Sequence, residues 1–209
     1  MFTGIIESIG QIKTVEPLQD STYAGVRLAV HAPSLDFSDV KLGDSIAIQG
    51  ACMTVVAMQD QTFHVDVSQE SLSKTVGLSQ PGEVNLEKAM RLSDRVGGHL
   101  VSGHVDGLGS VVDFSPVGES WHLQIRAPKS LSPFFAYKGS VTVNGVSLTV
   151  NQVDDHASGE CDIHINLIPH TVQMTTLKHL KADSPVNLEI DQIARYCERI
   201  VKTMNLNQG

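Results

Sequence analysis

The sequence predicts an all-β fold of two tandem antiparallel β-barrels followed by a C-terminal α-helix. Three observations carry this prediction: the chain repeats itself, each copy consists of short β-branched runs interrupted by glycine, and the last segment changes to helical periodicity. Each copy holds about six strand-like runs in roughly a hundred residues, which is typical of a small closed barrel. The 209 residues are enough for two compact domains of that size.

The internal repeat is the strongest of the three observations. Residues 45–55, SIAIQGACMTV, match residues 140–150, SVTVNGVSLTV, at an offset of 95. Three further anchors occur in the same order: Ala32-Pro33 with Ala127-Pro128, Gly4 and Gly10 with Gly103 and Gly109, and Val84-Asn85-Leu86-Glu87 with Val186-Asn187-Leu188-Glu189. Four ordered anchors separated by small insertions indicate a tandem duplication.

Strand patterns fill each copy. Residues 63–67 and 161–167 alternate apolar and polar side chains, the period of a half-buried strand. Gly50 and Gly145 interrupt strand-like runs, where glycine marks a bulge, a barrel corner or the close approach of a ligand. We place the boundary between the barrels near Arg95–Gly98, which predicts domains 1–97 and 98–191.

Residues 192–209 form the third predicted unit, with a helix from about Gln192 to Met204. Ile193, Cys197, Ile200 and Met204 recur at helical spacing and form one apolar stripe. A helix outside both repeats must bury that stripe either against a barrel or against other copies of the chain. Both alternatives remain open on the residues alone.

Composition excludes several functional classes. The net charge of −8 argues against binding nucleic acid through its phosphates, which requires a basic face. No apolar run approaches a membrane span, and the N-terminal residues lack the basic region of a signal peptide. Three widely spaced cysteines without a CxxC pair favour a reducing, cytoplasmic compartment. We therefore expect no nucleic-acid partner, no membrane and a cytoplasmic location.

The segment 97–107, GGHLVSGHVDG, is the most unusual in the chain. His99 and His104 are five residues apart without the glutamate of a zinc-protease motif, so their spacing argues against a metal site. Ser102 does not lie in a G-x-S-x-G elbow, which argues against a serine hydrolase. The alternative is that the glycines join the barrels and the histidines are ordinary strand residues.

Cys52 and Ser147 occupy one position of the repeat, two residues after a glycine and two before Thr54 or Thr149. Cys52 could be a small buried hydrophobe. Polar groups at one place in both copies, however, cost free energy in a core unless a partner satisfies them, and a bound polar heterocycle could be that partner.

Asp191 has no acidic counterpart in the first copy, where Ala89 takes its place. It could cap the terminal helix or bind a hydroxyl group in only one of two sites. The chain has no P-loop, and Gly107-Leu108-Gly109 lacks the third glycine of a dinucleotide site. We expect no cofactor.

Taken together, several segments resemble the riboflavin synthase family: MFTGIIE at residues 1–7, GGHLVSGHVDG, the two G-x-[CS]-[ML]-T-V strands, and NLIPHT at 166–171. The resemblance runs from Met1 to about Val201. It implies two six-stranded Greek-key lumazine-binding barrels and a C-terminal helix, assembled as a homotrimer without metal or organic cofactor. It also implies the last step of riboflavin biosynthesis, in which two molecules of 6,7-dimethyl-8-ribityllumazine give riboflavin and 5-amino-6-(ribitylamino)uracil.

The resemblance also implies a set of site residues. In the first half these are Gly4, Ile5, Ile6, Cys52, Met53, Thr54, Asp66, Val67, Ser68, Gln69, Glu70 and Ser71. In the second half they are His104, Val105, Asp106, Lys138, Ser147, Leu148, Thr149, Ile168, Pro169, His170, Thr171, Val172, Gln173 and Asp191. His104 is the candidate for assisting deprotonation of the lumazine C7 methyl group. Cys52 and Ser147 are candidates for activating or replacing a water that adds at C7.

In that family the first barrel of one subunit faces the second barrel of a neighbour, which favours the oligomer contact for the terminal helix. Gln49 and Asn144 depart from the residues common in the family, and Met53 replaces a common leucine. Two other functions compete: a non-catalytic lumazine or flavin antenna protein of the same fold, and a metal-dependent hydrolase built on His99 and His104. Association with lumazine synthase, which makes the substrate, is a further partner that the resemblance suggests.

Overall fold

A computed structural model describes residues 1–18 and 25–206 and shows two closed six-stranded antiparallel barrels followed by a C-terminal helix. The first barrel consists of β1 (Ser8–Pro17), β2 (Val26–His31), β3 (Ser45–Ile48), β4 (Ala51–Gln59), β5 (Thr62–Val67) and β6 (Gly82–Lys88), with α1 (Gln69–Lys74) between β5 and β6. The second consists of β7 (Gly107–Val117), β8 (Ser120–Ala127), β9 (Ser140–Val143), β10 (Val146–Asp155), β11 (Cys161–Leu167) and β12 (Pro185–Ile190), with α2 (Pro169–Met174) in the corresponding place. The C-terminal helix is α3 (Gln192–Leu206), and short 3-10 turns lie at Ser132–Phe134 and Thr176–His179.

The two barrels have the same strand order. Around the first it is β1-β2-β5-β4-β3-β6, and around the second β7-β8-β11-β10-β9-β12. The irregularities in strand pairing repeat as well. The register shifts between residues 12 and 14 in β1 and between 55 and 57 in β4, and the second barrel has equivalent shifts between 111 and 113 in β7 and between 150 and 152 in β10. The predicted fold class is therefore confirmed.

Each barrel encloses its own core. Alternate strand residues point inward, so Ile46, Ile48 and Phe63 are fully buried in the first barrel, and Leu123 and Ile125 in the second. The first core is one cluster of buried side chains and the second is another. The barrels span residues 8–88 and 107–190, and the segment between β6 and β7 joins them.

The two barrels meet back to back at their repeated glycines. A Cβ atom added to Gly50 would lie 2.7 Å from the backbone nitrogen of Gly145. Both glycines have positive φ, as do the residues before them, Gln49 and Asn144. This close backbone contact is the reason for glycine in both strands, since any side chain there would push the barrels apart.

Hydrogen bonds surround that contact in matching pairs. The side-chain amide nitrogen of Asn85 donates to the Asn144 carbonyl at 2.9 Å, and that of Asn187 donates to the Gln49 carbonyl at 2.9 Å. Within each barrel, the Asn85 N–H donates to Gln49 Oε1 and the Asn187 N–H donates to Asn144 Oδ1. All four residues are buried, so matching pairs of buried amide hydrogen bonds hold the interface.

Helix α3 begins at Gln192 as predicted and ends two residues beyond Met204. One face contacts the chain near the 3-10 turn at Ser132–Phe134. The apolar stripe predicted from the sequence is exposed: Ile193, Ile200 and Met204 are each more than half accessible, as is Tyr196. In the described ranges, none of the helices is long and apolar enough to cross a membrane.

Candidate functional site

The segments leading into the two barrels cross over to the opposite barrel. The Ser147 N–H of β10 donates to the Gly4 carbonyl at 2.8 Å, and the Cys52 N–H of β4 donates to the Gly103 carbonyl at 2.8 Å. Phe2 and Val101 pair with each other as a single antiparallel bridge between the two segments. Each strand that carries a candidate nucleophile therefore borders the leading segment of the other barrel.

Because of this crossing, some candidate residues from one half of the sequence lie at the barrel formed by the other half. Ile6 packs against the core of the second barrel and Val105 against the core of the first. The Gly4–Ile6 segment consequently lies with Ser147, and the segment containing His104 lies with Cys52.

Cys52 lies in a cleft of about 170 Å³ on the outer wall of the first barrel. The alternation along β4 buries Met53 and turns Cys52 and Thr54 outward. The cleft is lined by Ala51, Cys52, Met53, Glu70, Ser71, Lys74, Thr75, Gly103, His104 and Val105. The sequence-based premise that Cys52 and Thr54 are core residues is wrong, because they face out of the barrel, where a ligand can reach them.

Ser147 has different surroundings at the equivalent position. Its hydroxyl lies 2.7 Å from Nδ1 of His99. Nε2 of His99 is buried and has no hydrogen-bond partner among residues 1–18 and 25–206. Burial lowers the pKa of His99, and nearby Asp191 opposes that shift. The Ser147 hydroxyl is therefore held by a buried imidazole whose neutral form is favoured by burial, with Asp191 in its vicinity.

The segments after β5 and β11 are also equivalent. Residues 68–71 enter α1, where the Ser68 hydroxyl accepts a hydrogen bond from the Ser71 N–H, and residues 168–173 enter α2. Both helices are followed by a contact with the other barrel: the Val76 N–H donates to Asn187 Oδ1, and the Thr176 N–H donates to Asn85 Oδ1.

The remaining candidate residues fall into a buried group and an exposed group. The side chains of Val67, Leu148 and Val172 are buried in the barrel cores, so only their backbone groups are available to a ligand. A second group is exposed or partly exposed: Ile5, Gln69, Thr149, Ile168, Pro169, His170, Thr171 and Gln173.

Glu70 pairs with Lys74, and three more charged candidates also have side chains engaged with other residues. Asp66 accepts two hydrogen bonds from Arg27, and the ammonium group of Lys138 donates to Asn151. The Asp106 carboxylate binds Arg195 of α3 at 2.7 and 2.8 Å and accepts from the Ile190 N–H. Asp66 and Lys138 do not line the Cys52 cleft.

Two carboxylates that sequence reasoning used only as repeat anchors hold the crossing segments. Glu87 accepts hydrogen bonds from Thr3 and Gly4, and Glu189 accepts from Ser102, Gly103 and His104. One signal in the sequence points to these glutamates: both copies of the V-N-L-E strand, which is otherwise buried, end in a charged residue. The described residues contain no cluster of three or more His, Cys, Asp or Glu side chains placed to hold a metal ion.

Comparison with known proteins agrees with this architecture. The family model for the lumazine binding domain matches twice, at residues 3–89 and 102–191. The riboflavin synthase of Photobacterium leiognathi is 42% identical over 204 residues, covering 97% of this chain and 89% of that protein. That of Brucella abortus (strain 2308) is 41% identical over 209 residues, covering 97% and 98%.

Solved structures of LumP share the fold. The crystal structure of LumP complexed with 6,7-dimethyl-8-(1'-D-ribityl) lumazine superposes with a TM-score of 0.74 at 23% identity, covering 91% of this chain and 99% of LumP. The LumP complex with riboflavin gives a TM-score of 0.73. With two matched domains and full-length relatives at about 40% identity, the chain belongs to the riboflavin synthase family of transferases.

Proposed function

We propose that this chain converts two molecules of 6,7-dimethyl-8-ribityllumazine into riboflavin and 5-amino-6-(ribitylamino)uracil. The observation that carries the proposal is the pair of equivalent positions at Cys52 and Ser147, each bordered by a leading segment of the opposite barrel. A reaction between two copies of one heterocycle needs two similar sites held in fixed relation. Holding both substrates turns their encounter into an effectively unimolecular step.

The binding residues in the proposal are those that the family resemblance implies, regrouped by the crossing. Backbone groups of the barrel strands and leading segments suit the pyrimidinedione edge of the lumazine, and the hydroxyl and carboxylate groups suit its ribityl chain. Around the first barrel these are Cys52–Thr54, Asp66–Ser71 and His104–Asp106. Around the second they are Gly4–Ile6, Ser147–Thr149, Ile168–Gln173 and Asp191, and Lys138 completes the set.

The proposed chemistry moves four carbons between the two lumazines and balances without an oxidant or reductant. His104, exposed beside the Cys52 cleft, assists removal of a proton from the C7 methyl group of one lumazine. Cys52 and Ser147 activate, or replace, the water that adds at C7 of a lumazine. The joined adduct then fragments into the flavin and the pyrimidine, and the added water leaves.

The proposal includes a homotrimer in the cytoplasm. The exposed apolar stripe of α3 supports the trimer, because an isolated chain would leave Ile193, Ile200 and Met204 in water. In such an assembly the first barrel of one subunit faces the second barrel of its neighbour, which completes each site. Association with lumazine synthase belongs to the same proposal and is tested by co-sedimentation of the two purified enzymes.

The direct test is incubation of the purified protein with 6,7-dimethyl-8-ribityllumazine. We expect a flavin absorbance spectrum to appear at longer wavelength and the pyrimidine product to accumulate in equal amount. A non-catalytic antenna protein of the same fold would bind the lumazine and leave its spectrum that of a lumazine. Binding without conversion therefore overturns the proposal.

The role of His104 is tested by stopped-flow absorbance on His104→Ala. We expect the chemical step to slow by about a hundredfold or more, the usual contribution of general acid–base catalysis. The matched control is His156→Ala, since His156 is an exposed imidazole paired with Asp162 on the second barrel. An unchanged chemical step in His104→Ala removes His104 from the mechanism.

A further inference from the structure

Glu87 and Glu189 are two equivalent buried carboxylates that the proposed chemistry does not use. They end the repeated V-N-L-E sequence, and only 4% and 2% of their surfaces are exposed. Isolated charged carboxylates are costly to bury, so each needs several donors. Both have them, and in both cases the donors belong to a crossing segment.

The donors of Glu87 are the Thr3 N–H at 2.6 Å, the Thr3 hydroxyl at 2.8 Å and the Gly4 N–H at 2.9 Å. Those of Glu189 are the N–H groups of Ser102 at 2.7 Å, Gly103 at 2.9 Å and His104 at 3.0 Å. Each carboxylate therefore binds the N–H side of the segment that precedes its own barrel. Only a group with several lone pairs on two oxygens can accept three such donors at once.

The opposite side of each segment is bound by the other barrel. Gly4 accepts from Ser147 and Gly103 accepts from Cys52 through their carbonyls. A Cβ atom on Gly103 would lie 2.7 Å from Cβ of Cys52, so the segment lies directly on that residue. Consequently the carboxylate fixes how closely the segment approaches the candidate nucleophile.

From these contacts we infer that Glu87 and Glu189 are positioning residues, Glu87 for the Gly4 segment at Ser147 and Glu189 for the segment of Gly103 and His104 at Cys52. The catalytic consequence rests on the proposed function, whereas the geometric consequence does not. Loss of Glu189 releases the segment over the Cys52 cleft, and loss of Glu87 releases the segment over Ser147. The two residues act on opposite sites and are thus controls for each other.

The first experiment measures hydrogen exchange by mass spectrometry in Glu87→Gln and Glu189→Gln. Glutamine keeps the shape but replaces one acceptor oxygen with a donor. Each lost hydrogen bond to a charged group is worth about 1.5 kcal/mol or more, which corresponds to roughly tenfold faster exchange. We expect acceleration in residues 99–106 for Glu189→Gln and in residues 1–7 for Glu87→Gln.

The second experiment measures how fast 5,5′-dithiobis(2-nitrobenzoic acid) modifies Cys52 in a Cys197→Ser background. Cys197 is the exposed cysteine and Cys161 is buried, so removing Cys197 leaves Cys52 as the reporter. We expect about tenfold faster modification in Glu189→Gln and a rate within about twofold of the parent in Glu87→Gln. A purely structural effect would change both variants alike.

Two milder variants keep the inference testable if Glu189→Gln does not fold. Glu189→Asp retains the charge but withdraws the carboxylate by one methylene, and we expect it to behave as Glu189→Gln does. Thr3→Val removes the hydroxyl that donates to Glu87 and accepts from the Ile5 N–H, and we expect faster exchange in residues 1–7 alone, at Gly4 as well as at Ile5. The inference is overturned if all of these variants show the hydrogen exchange and thiol reactivity of the wild type. It is also overturned if each variant changes hydrogen exchange equally in both segments.

A kinetic measurement separates this inference from the proposed function. We expect Glu189→Gln to raise the lumazine concentration needed for half-maximal rate and to lower kcat as well, because His104 is attached to the released segment. If the wild type converts no lumazine while the exchange pattern holds, the proposed function fails and the positioning role stands. If conversion occurs and both variants match the wild type in exchange and kinetics, the positioning role fails.

Discussion

The two barrels share one backbone frame and differ in the groups around the position of Cys52 and Ser147. Cys52 borders an open cleft with His104 and Glu70 beside it, whereas the Ser147 hydroxyl is held by His99 and covered by Gly98. The strand order and register shifts are the same in both, and in each a buried glutamate binds the segment that leads into its barrel. Duplication thus supplies two equivalent positions, and substitution around them makes two unlike sites.

The difference between the two sites arises where the chain leaves each barrel. After β6 the chain continues to Gly98 and His99, which lie on Ser147 of the second barrel. After β12 it reaches Asp191, which is close enough to His99 to affect its pKa, and then enters α3. Both exits therefore add groups to the second site.

Of the substitutions considered, one that disrupts the contact between the barrels should destabilise the protein most. Gly50→Ala would place Cβ 2.7 Å from the Gly145 backbone nitrogen, at a position with φ +89°. Because backbone cannot move aside cheaply, we expect the free energy of unfolding to fall by about 4 kcal/mol. Urea denaturation of the purified variant measures this.

Gly43→Ala is the matched control for Gly50→Ala. Gly43 also has positive φ, +92°, but a Cβ there meets nothing within 4 Å. The free energy of unfolding of this variant should fall by only about 1 kcal/mol, the cost of placing alanine in the left-handed region. Equal losses in the two variants would show that conformational strain, rather than contact between the barrels, accounts for both.

The next prediction is that the stability of the protein depends on pH through the two buried carboxylates, and through Glu189 more than through Glu87. Burial raises the pKa of Glu189 to about 7 from its ordinary 4.5, against the N–H groups of Ser102, Gly103 and His104, and the Asp106 carboxylate adds to the rise. Burial also raises the pKa of Glu87, opposed by Thr3 and Gly4. Asp106 is in turn paired with Arg195.

A raised carboxyl pKa stabilises the fold at low pH, and that stabilisation is lost as pH rises from about 4.5 through 7. For Glu189 the loss amounts to roughly 3 kcal/mol, at about 1.4 kcal/mol per pKa unit. Glu189→Gln has no such titration, so the wild type should lose stability relative to it across this range. Parallel stability curves for the two proteins from pH 4.5 to 8 would contradict the assignment.

The smallest effect concerns Gln49 and its counterpart Asn144. Both adopt positive φ and both accept an N–H from the following V-N-L-E strand. Asparagine tolerates this backbone better than glutamine, so Gln49→Asn should stabilise the protein by about 0.5 kcal/mol in urea denaturation. Asn144→Gln should destabilise it by a similar amount, and a change of the same sign in both would refute this explanation.

The fold could be predicted from the sequence because the patterns that indicate its elements each lie within a short stretch of chain. Alternation in β5 and β11, glycine at 50 and 145, and the change to helical spacing after Asp191 each identify an element within a few residues. The duplication then gives two copies of one barrel. These features depend on short-range periodicity, which sequence reading detects well.

The sequence was not sufficient for the grouping of the site residues. Residues 1–7 carry no strand period and, within the part of the chain that the structure describes, make a single β-bridge, Phe2 with Val101. No local pattern therefore shows that they cross to the second barrel. The outward direction of Cys52, by contrast, was readable from the alternation with Met53 and Val55. The role of Glu189 depends on donors more than 80 residues away in the chain, which periodicity cannot reveal.

In the proposed reaction the doubled chain brings two lumazines together and passes four carbons from one to the other. The most direct measurement is mass spectrometry of the flavin formed from an equal mixture of unlabelled and fully carbon-13-labelled 6,7-dimethyl-8-ribityllumazine. We expect four flavin species in equal amounts: unlabelled, fully labelled, labelled only in the four transferred carbons, and labelled only in the rest. A flavin that is never of mixed labelling, or no flavin at all, would refute the proposed transfer.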